Sequence, residues 1–251
     1  MSDYGIPQMR KRIVLVAFRD GESFSLNSKM KRTLAIPLRQ AFEKATICDS
    51  GDEFYAFQKD SIDWKIANRI SPNQKLCDVR AGSRSVHSWD IPEVFGQTNE
   101  LERELLSTIL LLRRSLRRRK TGDADPVDIQ VLLSKFGTGI EKCISRLVDA
   151  QYLTFDGKYV DLSRRFNGKY RRLSWDELSY TVDTNFGNAR YFIHPEEPRG
   201  LSVREAARIQ GFPDTYKFEG RIRDKFRLIG NAVPPSVALN IANAIKDRLR
   251  K

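Results

Sequence analysis

The stretch Leu201-Ser202-Val203-Arg204-Glu205-Ala206-Ala207-Arg208-Ile209-Gln210-Gly211-Phe212-Pro213-Asp214 can be read almost letter by letter. Ser202 followed three residues later by Glu205 is a capping box that opens a helix. Gly211 stands where that helix ends, and Pro213 prevents its return. Downstream, Phe226-Arg227-Leu228-Ile229-Gly230-Asn231-Ala232-Val233-Pro234-Pro235-Ser236 reads as a loop running into a second helix, whose entry the two prolines set. Val237, Ile241, Ala244, Ile245 and Leu249 recur at helical spacing and predict a buried stripe. By spacing alone, these segments are two capped helices and nothing more.

At the other end of the chain, Gly5 and Pro7 punctuate a turn. Ile13-Val14-Leu15-Val16-Ala17-Phe18 follows, a continuous apolar run expected as a strand covered on both faces. Gln8, Arg10 and Arg12 precede it at i, i+2 and i+4, so a strand beginning near Gln8 places all three on one face. Two guanidinium forks and an amide on one side suit phosphate or carbonyl oxygens. A solvated basic entrance to the strand is the alternative.

Between these ends the pattern is irregular up to Pro92, with a short helix expected over 37–44 and a short strand over 54–57. From Asn99 the register turns helical: Leu101, Leu105, Ile109, Leu112 and Leu116 predict a long amphipathic helix. It ends in Arg113, Arg114, Arg117, Arg118, Arg119 and Lys120, more cations than a helix dipole needs: a candidate nucleic-acid contact, or else a solvated helix end that the cations stabilise. Asp128–Lys135 predicts a second helix. Phe136-Gly137-Thr138-Gly139 follows a helix rather than a strand, so it is a turn and not a nucleotide loop. A third helix carries Ile140, Ile144, Leu147 and Val148 on one stripe, with Lys142, Ser145 and Arg146 on the other. Residues 152–162 then read as a hairpin turned at Asp156-Gly157. Helix, helix, turn, helix and two-stranded wing is the order of a winged helix, whose polar face of Lys142, Ser145 and Arg146 suits a major groove; a module that only packs against its host, with that face in water, is the alternative.

The 251 residues carry 44 Lys and Arg against 32 Asp and Glu, a formal charge of +12 that favours a polyanionic partner. Apolar content of 40% argues for a folded chain. The longest apolar runs fall far short of a bilayer span, and the early charges leave no secretory signal. Three unpaired, widely spaced cysteines and only two histidines point to the reducing cytoplasm, with neither disulfide framework nor zinc site.

Three segments resemble motifs of the DNA cytosine-5 methyltransferases. Gln8-Met9-Arg10-Lys11-Arg12 is similar to that family's Q-x-R-x-R motif, residues 201–214 to R-E-A-A-R-x-Q-G-F-P-D, and residues 230–238 to G-N-A-V-P-P-x-V-A. The layout is similar too, a variable target-recognition region lying between the arginine motif and the R-E-A-A-R motif. The resemblance implies an α/β fold: the C-terminal portion of a Rossmann-like methyltransferase domain with an inserted α+β target-recognition domain containing a winged-helix-like module. It implies boundaries at 1–45, 46–199 (with the module at about 99–163) and 200–251. It implies a double-stranded DNA substrate, S-adenosylmethionine as cofactor and a setting in restriction–modification. By resemblance, Arg12 bonds a flipped cytosine and Arg10 helps hold the base and its flanking phosphate. Asn231 and Ala232 line the methionine end of the cofactor pocket. Ser179-Tyr180-Thr181-Val182 looks like the Thr-Leu/Val pair of the recognition domain, which makes Thr181 a phosphate ligand. Gln8, Arg190, Lys142 and Arg146 join it as candidate DNA contacts.

The chain departs from the pattern as well. It contains no F-x-G-x-G loop, no Pro-Cys-Gln and no Glu-Asn-Val, and Cys48, Cys77 and Cys143 all have other neighbours. The expectation is therefore a recognition and closing part that is inactive alone and completed by a separate chain or an N-terminal portion. A non-catalytic winged-helix DNA-binding protein and an inactive gene remnant are the alternatives.

Overall fold

A computed structural model describes residues 4–19, 24–26, 30–43 and 52–250. Ser2, Asp3 and Cys48 lie outside the described residues. The chain divides into two compact units, Gln58–Arg172 and the combination of Met1–Phe57 with Leu173–Lys251. Residues 173–199 belong to the unit that holds the two chain ends.

Within Gln58–Arg172, Ser61 caps the helix Ile62–Arg69 by accepting the Trp64 N–H. A three-stranded sheet has Lys75–Cys77 at its centre, parallel to Ser85–Val86 and antiparallel to Asn167–Lys169. The long helix Glu100–Ser115 starts where the sequence places it, with Asn99 and Glu102 closing a full capping box. Its buried face keeps Leu105 and Ile109 of the leucine series read from the sequence, with Leu112 packed against the same core. Leu101 and Leu116 are exposed, and Glu102, Leu105, Leu106, Ile109, Leu110 and Arg113 point inward. The two charges on that face are both paired: Glu102 with Arg146, and Arg113 with Asp161 at 2.5 Å. Burying either charge alone would be strongly unfavourable.

Asp128 caps the helix Ile129–Phe136, Gly137 ends it at φ 81°, and Ile140–Asp149 follows. Tyr159–Leu162 pairs antiparallel with both Leu153–Phe155 and Val127–Asp128. Gly157 at φ 94° takes the left-handed position of the hairpin turn. The three helices and this sheet share one core of Leu105, Leu106, Ile109, Leu132, Ile144, Leu147, Val160 and neighbours.

In the other unit, Leu38–Glu43 forms the short helix expected near 37–44. Residues 54–57 make only a single bridge, Ala56 to Arg199. The helices are Val203–Ile209, Ile222–Asn231 and Pro235–Leu249. Residues 226–231 are therefore helical rather than a loop. Leu38, Val182, Phe186, Leu201, Ala206, Ala207, Phe226 and Ile229 fill the core. By length and composition Ile222–Leu249 is apolar enough to cross a membrane. Here it is two helices separated at 232–234, with Arg223, Asp224, Lys225 and Arg227 in the first.

In this unit one expectation fails and another holds only in part. Residues 13–18 form no strand, and Ile13 and Leu15 are 89% and 91% exposed. The last helix buries Val237 and Ala244, while Leu239 and Leu249 lie in solvent. An apolar run becomes a strand only where neighbouring strands accept from its N–H groups and donate to its C=O groups, and among the described residues none lies beside it.

Candidate functional site

The N-terminal segment runs beside residues 179–183. Gln8 bridges to Ser179 in parallel, the Met9 N–H donates to the Ser179 carbonyl at 2.8 Å, and the Ser179 N–H donates to the Pro7 carbonyl at 2.9 Å. The Gln8 side chain is fully buried and bonds at both ends. Its Oε1 accepts the Val182 N–H at 3.0 Å, and its Nε2 donates to the Ile209 carbonyl at 3.2 Å and to Gln210 Oε1 at 2.6 Å. Gln210, also fully buried, donates from Nε2 to the carbonyls of Ile229 at 2.9 Å and Ala232 at 2.8 Å. Helix C-termini leave carbonyls without intrahelical partners. The two amides thus satisfy the ends of Val203–Ile209 and Ile222–Asn231 while joining those ends to each other.

Arg10 completes the junction, donating from Nη1 to the Val182 carbonyl at 2.6 Å and from Nη2 to the Gly230 carbonyl at 3.2 Å. Burial, and then the nearby Arg12, lower its pKa from the ordinary arginine value, while Asp183 opposes them. A guanidinium remains cationic all the same. Gly230 lies so close to the loop that a Cβ there would stand 2.4–2.6 Å from Asp183 and Thr184 backbone atoms. The arginine motif, the 179–182 segment and both C-terminal motifs therefore meet at one buried hydrogen-bond network.

The charged residues of 201–214 are scaffold. Ser202 and Glu205 form the expected capping box. Glu205 also accepts both terminal nitrogens of Arg199 at 2.8 Å, and His194 Nε2 lies 3.5 Å from it. Arg199 and the other hydrogen bonds keep the Glu205 carboxyl below its usual pKa against the effect of burial, the largest single influence on it. Burial lowers the His194 pKa. Arg208 grips Asp214 at 2.8 and 3.1 Å.

The other predicted site residues are placed as follows. Arg12 is exposed, donates to its neighbour's carbonyl at 2.7 Å and lines a cavity of about 540 Å³ with Tyr4, Val14, Phe24, Val237 and Ile241. Asn231 is exposed at the end of its helix and is not among the residues lining that cavity. Ala232 has its N–H bonded to the Ile229 carbonyl and its own carbonyl to Gln210. The Thr181 hydroxyl donates to the Met9 carbonyl at 2.6 Å. Arg190 and Lys142 are exposed.

Two readings change. Gln8 presents nothing to a phosphate here, because it is wholly interior. Arg146 is not an uncommitted groove ligand: its guanidinium is held by the buried Glu102, which raises its pKa, and it also donates to the Gln97 carbonyl at 3.2 Å. Of the basic run, Arg113 is buried against Asp161 and Arg119 pairs with Asp125. Sequence reasoning missed Gln210 as the hub. Its signal was an amide one residue past the end of a capped helix, where orphan carbonyls collect.

A family model described as C-5 cytosine-specific DNA methylase matches residues 1–247. The chain is 54% identical over 82 residues to DNA (cytosine-5)-methyltransferase PliMCI of Paracentrotus lividus, covering 32% of this chain and 5% of that protein. It is 51% identical over 85 residues to Type II methyltransferase M.AgeI of Thalassovita gelatinovora, covering 34% and 20%. It is 26% identical over 288 aligned residues to Type II methyltransferase M.HgiBI of Herpetosiphon aurantiacus, covering 97% and 63%. The chain spans less than two-thirds of the length of each of these relatives.

Proposed function

The chain belongs to the C-5 cytosine-specific DNA methylases, and from that premise we propose that it is the target-recognition and closing part of a DNA cytosine-5 methyltransferase. The observation that supports this best is the buried Gln8–Gln210–Arg10 network, which joins all the motif segments in one place. In this reading Gln8 and Arg10 set the course of the chain, and that course delivers the exposed Arg12 to a flipped cytosine. Thr181 and Arg190 contact phosphate. Residues 99–163 act as a winged helix, with Lys142 reaching the groove and Arg146 holding the recognition helix to Glu102.

The reaction needs a thiolate that attacks C6 of the base, making C5 a nucleophile towards the methyl donor. Neither Cys77 nor Cys143 has a matching neighbourhood: Cys77 is buried, and burial raises the Cys143 pKa. Of the two residues the resemblance assigns to S-adenosylmethionine, the Asn231 side chain is exposed and both backbone polar groups of Ala232 are bonded within the protein, which leaves Asn231 as the cofactor contact this chain offers. Nucleophile and most of the cofactor site therefore reside on a complementary polypeptide, a separate chain or an N-terminal portion, carrying Pro-Cys-Gln and Glu-Asn-Val.

The mixed polar and apolar groove that Arg12 lines suits that complement. Val14, Leu15, Val237 and Ile241 supply its apolar part, and Leu15 is almost fully exposed. Relatives named as type II methyltransferases favour a restriction–modification setting. Mixing this chain with the complement and following methyl transfer to duplex DNA tests the reading: transfer is expected only when both are present. Sequence-specific binding by the isolated chain, with no complementary partner, would favour a non-catalytic winged-helix protein instead.

A further inference from the structure

Directly after Val182 and Asp183, Thr184 and Asn185 face the first turns of the helix Ile222–Asn231 across a cleft of about 390 Å³. Arg221, Arg223, Asp224 and Arg227 line the rest of it. Three guanidiniums against one carboxylate leave the cleft strongly positive. Asp224 pairs with Arg221 at 3.0 Å, an exposed pair that water screens. Arg223 and Arg227 stand four residues apart on one helical face, where like charges repel. Among the described residues, neither forms an ion pair with a carboxylate. The helix start adds to the field, because its N-cap is Arg221 and no side chain caps the first N–H groups. The Asp183 carboxylate, the nearest acid on the loop, accepts the Asn185 N–H at 2.9 Å. The helix and the loop are held in contact where Gly230 packs against Asp183 and Thr184.

The lining is thus rich in donors: guanidinium forks, a hydroxyl and a carboxamide. An acceptor-rich anion matches it, and guanidinium forks match phosphate oxygens in particular. We propose that this cleft seats a phosphodiester of duplex DNA, held chiefly by Arg223 and Arg227. The proposal rests on the reading of the chain as a DNA-binding part of a methyltransferase and adds a backbone contact beyond Thr181 and Arg190. Because Arg10 bonds both Val182 and Gly230, at the two sides of this contact, a phosphate seated here shares a support with the arginine motif. It sets the register of the strand rather than reading a base.

The test is fluorescence anisotropy of the full chain with a mixed-sequence duplex of about 20 base pairs, over roughly 50–200 mM NaCl. Wild type, R223Q/R227Q and R223K/R227K are compared, with circular dichroism melts to verify folding. The glutamine pair is expected to weaken binding roughly tenfold or more at low salt. It should also reduce the slope of log K against log salt by about 1–2, equally for unrelated sequences. The lysine pair should retain most of the slope. A glutamine pair with wild-type affinity and slope overturns the cleft while leaving DNA binding intact. A wild-type chain that fails to bind duplex at low salt overturns both.

Discussion

Gln8 and Gln210, 202 positions apart in the chain, meet through a hydrogen bond of 2.6 Å between fully buried side-chain amides. A buried amide is tolerable only when its donors and acceptor are used, and this pair uses them on the Val182 N–H and the carbonyls of Ile209, Ile229 and Ala232. Segments from the two ends of the chain are thereby held in one register.

The pair should be energetically coupled. Gln8→Ala and Gln210→Ala each leave buried backbone groups unpartnered and are expected to destabilise the fold by about 1–3 kcal/mol. The double variant should lose less than the sum, with a coupling on the order of 0.5–3 kcal/mol. Urea unfolding of the four proteins of the cycle measures it, and strict additivity would show that the amides act independently.

Arg10 and Arg12 should separate cleanly. Arg10→Ala strips the partner from the Val182 and Gly230 carbonyls and is expected to lower stability by about 1–3 kcal/mol. Arg12→Ala, at an exposed side chain, should leave stability within about 0.5 kcal/mol. Thermal melts of both variants check this. A large loss with Arg12→Ala would mean that the side chain supports the fold rather than a ligand.

Gly230→Ala should be poorly tolerated. Its Cβ would meet backbone atoms, which cannot swing aside as a flexible side chain can. The expected loss is on the order of 1–3 kcal/mol or more, read by thermal or urea unfolding. Wild-type stability in this variant would contradict the close approach of helix and loop.

In the unit Gln58–Arg172, burial pushes the Asp78 carboxyl up from 3.8 to about 6, against the hydrogen bonds from Ser88 and the charge of Arg164. A carboxyl raised in the fold binds more protons there than in the unfolded chain. Its ionised form therefore opposes folding above about pH 6, and the opposition fades as pH falls towards about 4. Asp78→Asn keeps an acceptor for the Ser88 N–H, which donates to Asp78 Oδ1 at 2.8 Å. It should be more stable than wild type by about 1–3 kcal/mol near pH 7, with the difference shrinking at lower pH. Urea unfolding across pH measures the gap, and a gap that is constant or grows on acidification contradicts it.

What was legible in the sequence follows from the range of the interactions. Asn99 with Glu102 and Ser202 with Glu205 announce their helices because a capping box is complete within four residues. The Ile140, Ile144 and Leu147 stripe is equally local. The 13–18 run misleads because β-branched composition says only that a segment suits a sheet, whereas the partner strands must come from elsewhere. Val237 to Leu249 misleads in the same way: helical period marks an apolar face, not the surface that covers it. The motifs singled out Gln8, Arg10, Arg12 and Asn231, of which Gln8 and Arg10 join the buried network. They did not reveal that Gln8 and Arg10 turn inward and Arg12 outward, because that depends on carbonyls some 170 to 220 residues away.

The most direct test of the central proposal is methyl transfer from labelled S-adenosylmethionine to duplex DNA, measured with this chain, with a polypeptide carrying Pro-Cys-Gln and Glu-Asn-Val, and with the two together. The expected result is transfer by the mixture, none by either component, and loss of transfer when the mixture contains Arg12→Ala. Transfer by this chain alone, or undiminished transfer with Arg12→Ala, would contradict the account.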